Sequence, residues 1–185
     1  EGANLGAARI RIRSLLAAMK KRSQSDTTCP SRPVYKFRTP FTKEMRPEYT
    51  ILCPQMAPLH FRFIEPVFKS EGYNLKLLPD VSRETIEEGL KYVNNDGCFP
   101  AIIVIGQLLE ALQSGEYDLD RIAVAITQTG GGCRATNYIG LLRKALHEAG
   151  FENIPVISAN LYGNEINSGF KITASLLKKA ITGVV

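Results

Sequence analysis

The sequence has few of the side chains that build a metal site from close neighbours. Only two His and four Cys occur in 185 residues, and no pair of Cys has the C-x-x-C spacing. A His-rich metal site and a closed local zinc site are both disfavoured, because each needs several ligands close together. Four Cys so far apart also disfavour a small domain held together by disulfides.

Long apolar runs are lacking as well. No stretch approaches the roughly 20 residues needed to cross a bilayer, and the first residues have neither the apolar core nor the cleavage site of a signal peptide. We therefore expect a cytoplasmic protein that does not enter a membrane. The chain begins at Glu1 without an initiator Met, and we expect it to be a fragment of a larger multidomain protein.

Basic residues are concentrated near the N-terminus. Residues 1–49 hold 11 Lys/Arg and four Asp/Glu, whereas the remainder holds 12 and 14. Apolar residues at helical spacing predict a basic amphipathic helix over 4–22, with its apolar face packed on protein. The Ser-, Thr- and Pro-rich stretch 23–47 is typical of a linker, so we predict a helical and extended arm over 1–48. The sequence contains no recognised motif that supports nucleic-acid binding.

From residue 49 onward, strand and helix patterns alternate. Four short apolar runs are typical of buried strands, at 49–52, 75–78, 122–126 and 154–158. Helical periodicity lies between and after these runs, over 58–70, 83–93, 100–114, 134–149 and 170–184. This alternation predicts right-handed βαβ units and a parallel sheet. The predicted fold class is α/β: one Rossmann-like domain over 49–185, with about four parallel strands flanked by helices.

A glycine-rich loop joins the most strand-like run to the clearest amphipathic helix. Gly130, Gly131 and Gly132 are followed by Cys133 and Arg134 at the predicted start of that helix. Backbone N–H groups at a helix start and a neighbouring Arg favour an anion, either a phosphate or a thiolate. The loop has neither the glycine spacing of a dinucleotide fingerprint nor the Lys-Ser/Thr pair of a Walker phosphate loop. A tight turn around a small buried Cys explains the triplet alone equally well.

Three cysteines lie where a doubly wound fold gathers its functional side chains. Cys53 ends the first predicted strand, Cys98 immediately precedes a predicted helix, and Cys133 follows the glycine loop. Loops at one edge of a parallel sheet could bring Cys98 and Cys133 close together. Arg134 and Asn137 are candidate polar neighbours of whatever these loops bind. Cys29 lies in the predicted linker, where a thiol without a site is the simpler interpretation.

Two motifs resemble a known family. Residues 92–101 read YVNNDGCFPA and residues 127–138 read TQTGGGCRATNY. Together they resemble the 2-hydroxyacyl-CoA dehydratase and CoA-substrate-specific enzyme activase family. More narrowly, they are similar to the dehydratase-related module of the large activase-like proteins of anaerobes. The resemblance implies a 4Fe–4S cluster, or a double-cubane cluster, held by cysteines between Rossmann-like domains, with Cys98 and Cys133 as ligands.

Beyond Cys98 and Cys133, the sequence offers further candidate residues for binding a metal or a cofactor. Cys53 is a third candidate metal ligand from its position at a strand end, although the resemblance does not include it. Gly130, Gly131 and Gly132, with Arg134 and Asn137, are the candidate cofactor-binding residues. Further ligands are expected from a segment outside this chain or from another subunit.

The resemblance implies an iron–sulfur electron-transfer module of an ATP-dependent radical 2-hydroxyacyl-CoA dehydratase or activase-like system. Expected partners are an ATP-hydrolysing activator domain or subunit, a further dehydratase-like domain and a second copy in a homodimer. The isolated segment is expected to lack enzyme activity. Two alternatives remain: a module that binds a phosphate-bearing ligand, such as a CoA ester or a nucleotide, without a cluster, and a structural docking domain.

Overall fold

The computed structural model describes residues 5–24, 38–94, 98–129, 131–159 and 167–184. The chain divides into two compact units, Glu1–Lys36 and Phe37–Val185. Within the described ranges, no helix is both long enough and apolar enough to span a bilayer.

The residues described in the first unit form the helix α1, at Leu5–Gln24. Its extent agrees with the helix predicted over 4–22. The side chains of Ile12, Leu15, Leu16 and Met19 are between 56% and 60% exposed. The apolar face predicted to pack on protein is therefore exposed within the described part of the chain.

The second unit is built on a sheet of four parallel strands in the order β2-β1-β3-β4. The strands are β1 (Thr50–Cys53), β2 (Asn74–Leu77), β3 (Ile122–Thr127) and β4 (Val156–Ala159). Each lies within two residues of a predicted run, and the α/β Rossmann-like fold class is confirmed. Parallel strands need crossover connections of a dozen or more residues, and helices supply them here.

Both faces of the sheet are covered, and the first five residues of β3 are apolar and buried. On the first face, Val124 and Ile126 of β3 pack with Leu52 of β1. On the second face, Ala123 and Ala125 of β3 are buried. Successive side chains of β3 therefore pack alternately into two separate cores, as expected of a strand buried on both faces.

The helices are divided between the two faces. The first face is covered by α4 (Arg83–Tyr92), α5 (Phe99–Gln113) and α6 (Tyr138–Glu148). The second face is covered by α3 (Ile64–Ser70) and α7 (Ala174–Val184). A short helix α2 (Pro58–Phe61) precedes α3.

The helix predicted over 58–70 is interrupted at Arg62 and Phe63, between α2 and α3. Pro66 lies four residues after Arg62. It has no N–H to donate to the Arg62 carbonyl, and its ring crowds that carbonyl. The prediction of a single helix was wrong for this reason.

The second unit begins earlier than the predicted boundary between residues 48 and 49. Phe41 is fully buried on the second face, and its ring lies edge-on to Tyr49 with centroids 6.2 Å apart. The backbone N–H of Gly169 also donates to the Phe41 carbonyl, at 3.0 Å. Residues 38–48 therefore pack as part of the domain.

Candidate functional site

The candidate site lies at the carboxyl edge of the sheet, beyond the ends of the neighbouring strands β1 and β3. The chain leaves β1 towards α3 on the second face and leaves β3 towards α6 on the first face. Adjacent strands whose connections run to opposite faces leave a crevice at their carboxyl ends. Cys53 ends β1, and the glycine loop with Cys133 follows β3. Cys98 lies at the start of α5.

Cys98 forms the N-cap of α5. Its backbone is extended, with φ −77° and ψ 124°, and its carbonyl accepts the Ala101 N–H at 2.9 Å. Pro100 occupies the first turn, where its missing N–H leaves no bond unmade. The thiol is half-buried against the first-face core. The predicted position of Cys98 at a helix start is confirmed.

Cys133 is exposed and precedes a single turn of 3₁₀-helix, Arg134–Asn137, rather than the first turn of α6. Its Sγ accepts a long contact from the Ala135 N–H at 3.5 Å. The α-helix predicted over 134–149 begins only at Tyr138. Side-chain bonds to the backbone in this turn compete with the regular helical pattern, which accounts for the difference.

Those side-chain bonds tie the glycine loop to β4. Thr136 donates its hydroxyl to the Gly131 carbonyl at 2.9 Å, and Gln128 donates its amide to the Thr136 carbonyl at 2.9 Å. Ser158 of β4 in turn donates to Gln128 Oε1 at 2.8 Å. The loop is therefore held in place by a connected set of hydrogen bonds. Gln128 and Ser158, which take part in it, were not among the predicted site residues.

The outer surface of this loop is open. Gly131 and Gly132 are exposed, and no other described residue lies within 4 Å of a Cβ built on either of them. Arg134 and Asn137 are exposed in the turn that follows. Gly130, the first glycine of the predicted set, lies outside the described residues. The described part of the loop therefore has room for a group to approach its backbone.

Tyr138, at the end of the second motif, contacts the cysteine of the first motif. Its hydroxyl lies 3.0 Å from Cys98 Sγ, and the side chain is only 7% exposed. Burial, the hydrogen bond with Cys98 and the charges of Cys98 and Cys133 raise the pKa of Tyr138 to about 12. Cys133 lies five residues before Tyr138 in the chain, and its charge contributes to this rise. The structure thus places the Cys98 thiol in contact with a residue of the second motif.

Cys53 lies on the other face of the sheet. It packs with the second-face core and lines an apolar cavity of about 90 Å³. Burial, with a smaller effect from the Glu65 charge, raises the pKa of Cys53 to about 12. Cys53 therefore lies apart from Cys98, which packs against the first-face core. Its role as a third ligand stays a prediction.

A larger cavity adjoins Tyr138. It encloses about 450 Å³ between the loops after β1 and β2 and the first turns of α5 and α6. Its lining is mainly apolar: Gln55, Met56, Pro58, Asp80, Val81, Pro100, Ile103, Val104 and Tyr138. The crevice at the strand ends is therefore large enough for part of a small molecule beside Tyr138.

The described residues do not complete a metal site by themselves. Among them, no group of three or more His, Cys, Asp and Glu side chains is arranged to hold a metal ion. The site they offer consists of the Cys98 thiol in contact with the Tyr138 phenol, the exposed Cys133 and an open glycine loop. Any cluster bound here would need ligands from beyond these residues.

Comparisons with protein-family models, with curated proteins and with solved structures find no match to this chain.

Tyr138 was not among the predicted site residues. Its spacing with Ile139 and Leu142 predicts an apolar helix face, and all three are buried. Nothing in the local pattern indicates that its hydroxyl meets a thiol 40 residues earlier. The available signal was its place at the end of the second motif, directly after a loop at the carboxyl edge.

Proposed function

We propose that this chain is an iron–sulfur electron-transfer module of an ATP-dependent radical 2-hydroxyacyl-CoA dehydratase or activase-like system. One observation carries the proposal beyond the resemblance of the motifs. Cys98 of the first motif contacts Tyr138 of the second motif, with 3.0 Å between Sγ and the hydroxyl oxygen, and Cys133 lies five residues before Tyr138 in the chain. Thiols on opposite sides of the domain would have argued against a shared cluster.

The chemistry of the two thiols suits this role. Iron–sulfur clusters are held by cysteine thiolates, and a cluster here would supply one-electron transfer. Cys133 is exposed, so its sulphur is open to a partner group, whereas Cys98 is held half-buried at the start of α5. This chain would contribute two ligands, and the others would come from outside the described residues.

The resemblance also suggests the partners. The sequence has no Walker phosphate loop, so an ATP-hydrolysing activator domain or subunit would supply the strongly reducing electron. A further dehydratase-like domain or a second copy of the chain would complete the ligand set. In this proposal the exposed glycine loop and Cys133 are the surface on which such a partner closes the site.

Anaerobic reconstitution with iron and sulphide tests the proposal. An excess of 2-mercaptoethanol would supply thiolates for iron positions that the chain leaves open. We expect iron and sulphide to be bound in comparable amounts, with broad visible absorption, and we expect both to fall strongly in Cys98→Ala and Cys133→Ala. Cys29→Ala is the matched control, because Cys29 lies outside both motifs.

The same measurement can overturn the proposal. A wild-type chain that binds no sulphide-containing cluster would remove it, and so would wild-type cluster content in the Cys98→Ala/Cys133→Ala double variant. The Cys53→Ala variant tests whether Cys53 is the third metal ligand. Because Cys53 packs on the second face whereas Cys98 packs on the first, we expect this variant to keep its cluster.

A second function is favoured by the open surface of the glycine loop. The space above Gly131 and Gly132, beside the exposed Arg134, could admit the phosphate of a CoA ester or a nucleotide. Metal-free protein should then melt at a higher temperature with either ligand. Gly131→Leu should abolish that shift without disturbing the fold, whereas Cys133→Ser should retain it. No shift with either ligand would exclude this function.

A further inference from the structure

A second cavity, lined by residues outside both motifs, lies between the start of α4 and the second half of α5. It encloses about 320 Å³, at the lower end of the range typical of small-molecule sites. Three carboxylates line it, those of Asp80, Glu110 and Glu116, together with the apolar groups of Leu78 and Tyr117. Among the described residues that line it, none is a Lys, an Arg or a His. A cleft lined by charge of one sign attracts the opposite charge, so this lining favours a positively charged occupant.

The buried amide of Gln107 gives a second and independent reason to expect a ligand. Gln107 is 4% exposed and lines the same cavity. Its Nε2 donates to the Pro79 carbonyl at 2.9 Å, which fixes the orientation of the amide, whereas no group in the described part of the chain donates to Oε1. A buried oxygen that has lost water and gained no donor costs free energy. A ligand with an N–H group would supply the missing donor.

The hydroxyl groups beside the carboxylates are already engaged as donors. Thr85 donates to Glu110 Oε2 at 2.5 Å, and Ser114 donates to the Ala111 carbonyl at 2.8 Å. Each hydroxyl has a single proton, so neither can donate to a ligand while these bonds persist. The Glu110 carboxylate has further lone pairs beyond the one that Thr85 uses. This part of the cavity therefore offers acceptors, and the ligand must bring the donors.

We propose that this cavity binds a small organic cation with N–H groups, an amine or a guanidine, which is held by Glu110 and Gln107. The protonated nitrogen donates to the Glu110 carboxylate in a charge-assisted hydrogen bond and to Gln107 Oε1. The apolar part of the ligand lies against Leu78 and Tyr117. A metal ion fits less well, because no group of three or more His, Cys, Asp and Glu within the described ranges is arranged to hold one. The site goes beyond the proposed function and does not depend on it.

Calorimetric titration of the full chain at pH 7 and low salt tests the proposal. The probes are n-butylamine, phenethylamine and agmatine, which are protonated at this pH. The controls are n-butanol, which has no charge, butyrate, which is negative, and tetramethylammonium, which is positive but has no N–H. We expect saturable binding of at least one amine, weaker binding of tetramethylammonium and no binding of n-butanol or butyrate. Failure of all three amines to bind, or binding of n-butanol as tight as that of n-butylamine, would overturn the proposal.

Substitutions in the cavity test the two groups that hold the ligand. Glu110→Gln removes the charge but keeps an oxygen that can accept from Thr85, and it should weaken amine binding by about tenfold or more. Glu87→Gln is the matched control, because it removes the same charge from an exposed residue of α4 that does not line the cavity. Gln107→Met keeps the length of the side chain and removes Oε1. It should weaken binding of the amines and leave that of tetramethylammonium unchanged.

Thermal unfolding without ligand shows whether each variant folds. Should Glu110→Gln or Gln107→Met fail to fold, Glu116→Gln replaces it, because Glu116 is an exposed residue of the lining and its loss of charge should also weaken amine binding. Amine affinity that is unchanged in these variants, or that falls equally in Glu87→Gln, would overturn the proposal. Since neither Cys98 nor Cys133 lines this cavity, the proposed function stands or falls separately.

Discussion

The backbone of Gly106 in α5 lies directly against the carbonyl oxygen of Thr85 in α4. A Cβ at residue 106 would collide with that oxygen, and a Cβ at Gly89 would collide with the carbonyl of Ile102. Two glycines thus let the main chains of α4 and α5 touch. This close packing positions α5, whose first turn presents Cys98.

Substitution of Gly106 by Ala should destabilise the domain. The obstacle is backbone rather than the end of a flexible side chain, so one helix must shift. We expect a loss of about 1–3 kcal/mol in the free energy of unfolding, measured with urea. Gly140→Ala on the exposed side of α6 is the control. No described atom lies near its Cβ position, and better helix propensity should stabilise it by about 0.5–1 kcal/mol. Equal effects of the two substitutions would contradict the packing of α4 on α5.

Ser82 should contribute measurably to stability through the start of α4. Its hydroxyl oxygen accepts the Thr85 N–H at 3.1 Å, and Thr85 Oγ1 accepts the Ser82 N–H at 3.2 Å. Ser82→Ala removes one half of this capping box and should cost about 1 kcal/mol of unfolding free energy in urea titrations. Ser82→Asn keeps an acceptor and should cost much less. If both variants were equally unstable, the cap would not be the cause.

Stability should fall at alkaline pH because of Cys53. Burial raises the pKa of this thiol from 9.0 to about 12, so between these values it keeps its proton in the folded state and loses it in the unfolded state. The unfolded state then binds fewer protons, and stability drops as pH rises, by at most about 1.4 kcal/mol per pH unit from this group.

Cys53→Ala removes this contribution. Urea unfolding at pH values from 7 to 11 should give a shallower decline for the variant than for the wild type. The difference at pH 7 measures the packing lost with the sulphur and serves as the baseline. If the free energy of unfolding declined equally with pH in both proteins, Cys53 would have the same pKa in the folded and unfolded states.

The sheet could be predicted from the sequence because β3 is a continuous apolar run, which is typical of a strand buried on both faces. The run Ile122–Thr127 is apolar at five successive positions, and all five side chains are buried. Periodicity could not locate Phe41, which fills the second-face core from a stretch rich in Pro and Thr. Its burial depends on a long-range contact with Gly169 that no local pattern encodes.

The candidate site was predicted in outline and missed in detail for the same reason. The sequence placed Cys98 before a helix and Cys133 after the glycine loop, whereas the contact of Cys98 with Tyr138 depends on the packing of α5 beside α6 on the first face. Cys53 also ends a strand, but the alternation of side chains along β1 turns it to the second face, away from Leu52 on the first. One residue of register decides which face a strand-end thiol reaches.

Thiol labelling of the metal-free protein tests this arrangement directly. Cys133 is exposed, Cys98 is half-buried beside Tyr138, and Cys53 is half-buried among second-face side chains, where burial raises its thiol pKa to about 12. Alkylation requires an accessible thiolate, so iodoacetamide at pH 8 should modify Cys133 faster than Cys53 by on the order of tenfold or more. Peptide mass spectrometry over time measures the rates, and labelling in guanidinium chloride provides the control in which the difference should largely disappear. Equal rates at Cys53 and Cys133 in the folded protein would contradict the placement of these two thiols, and with it the reason for expecting Cys53→Ala to keep its cluster.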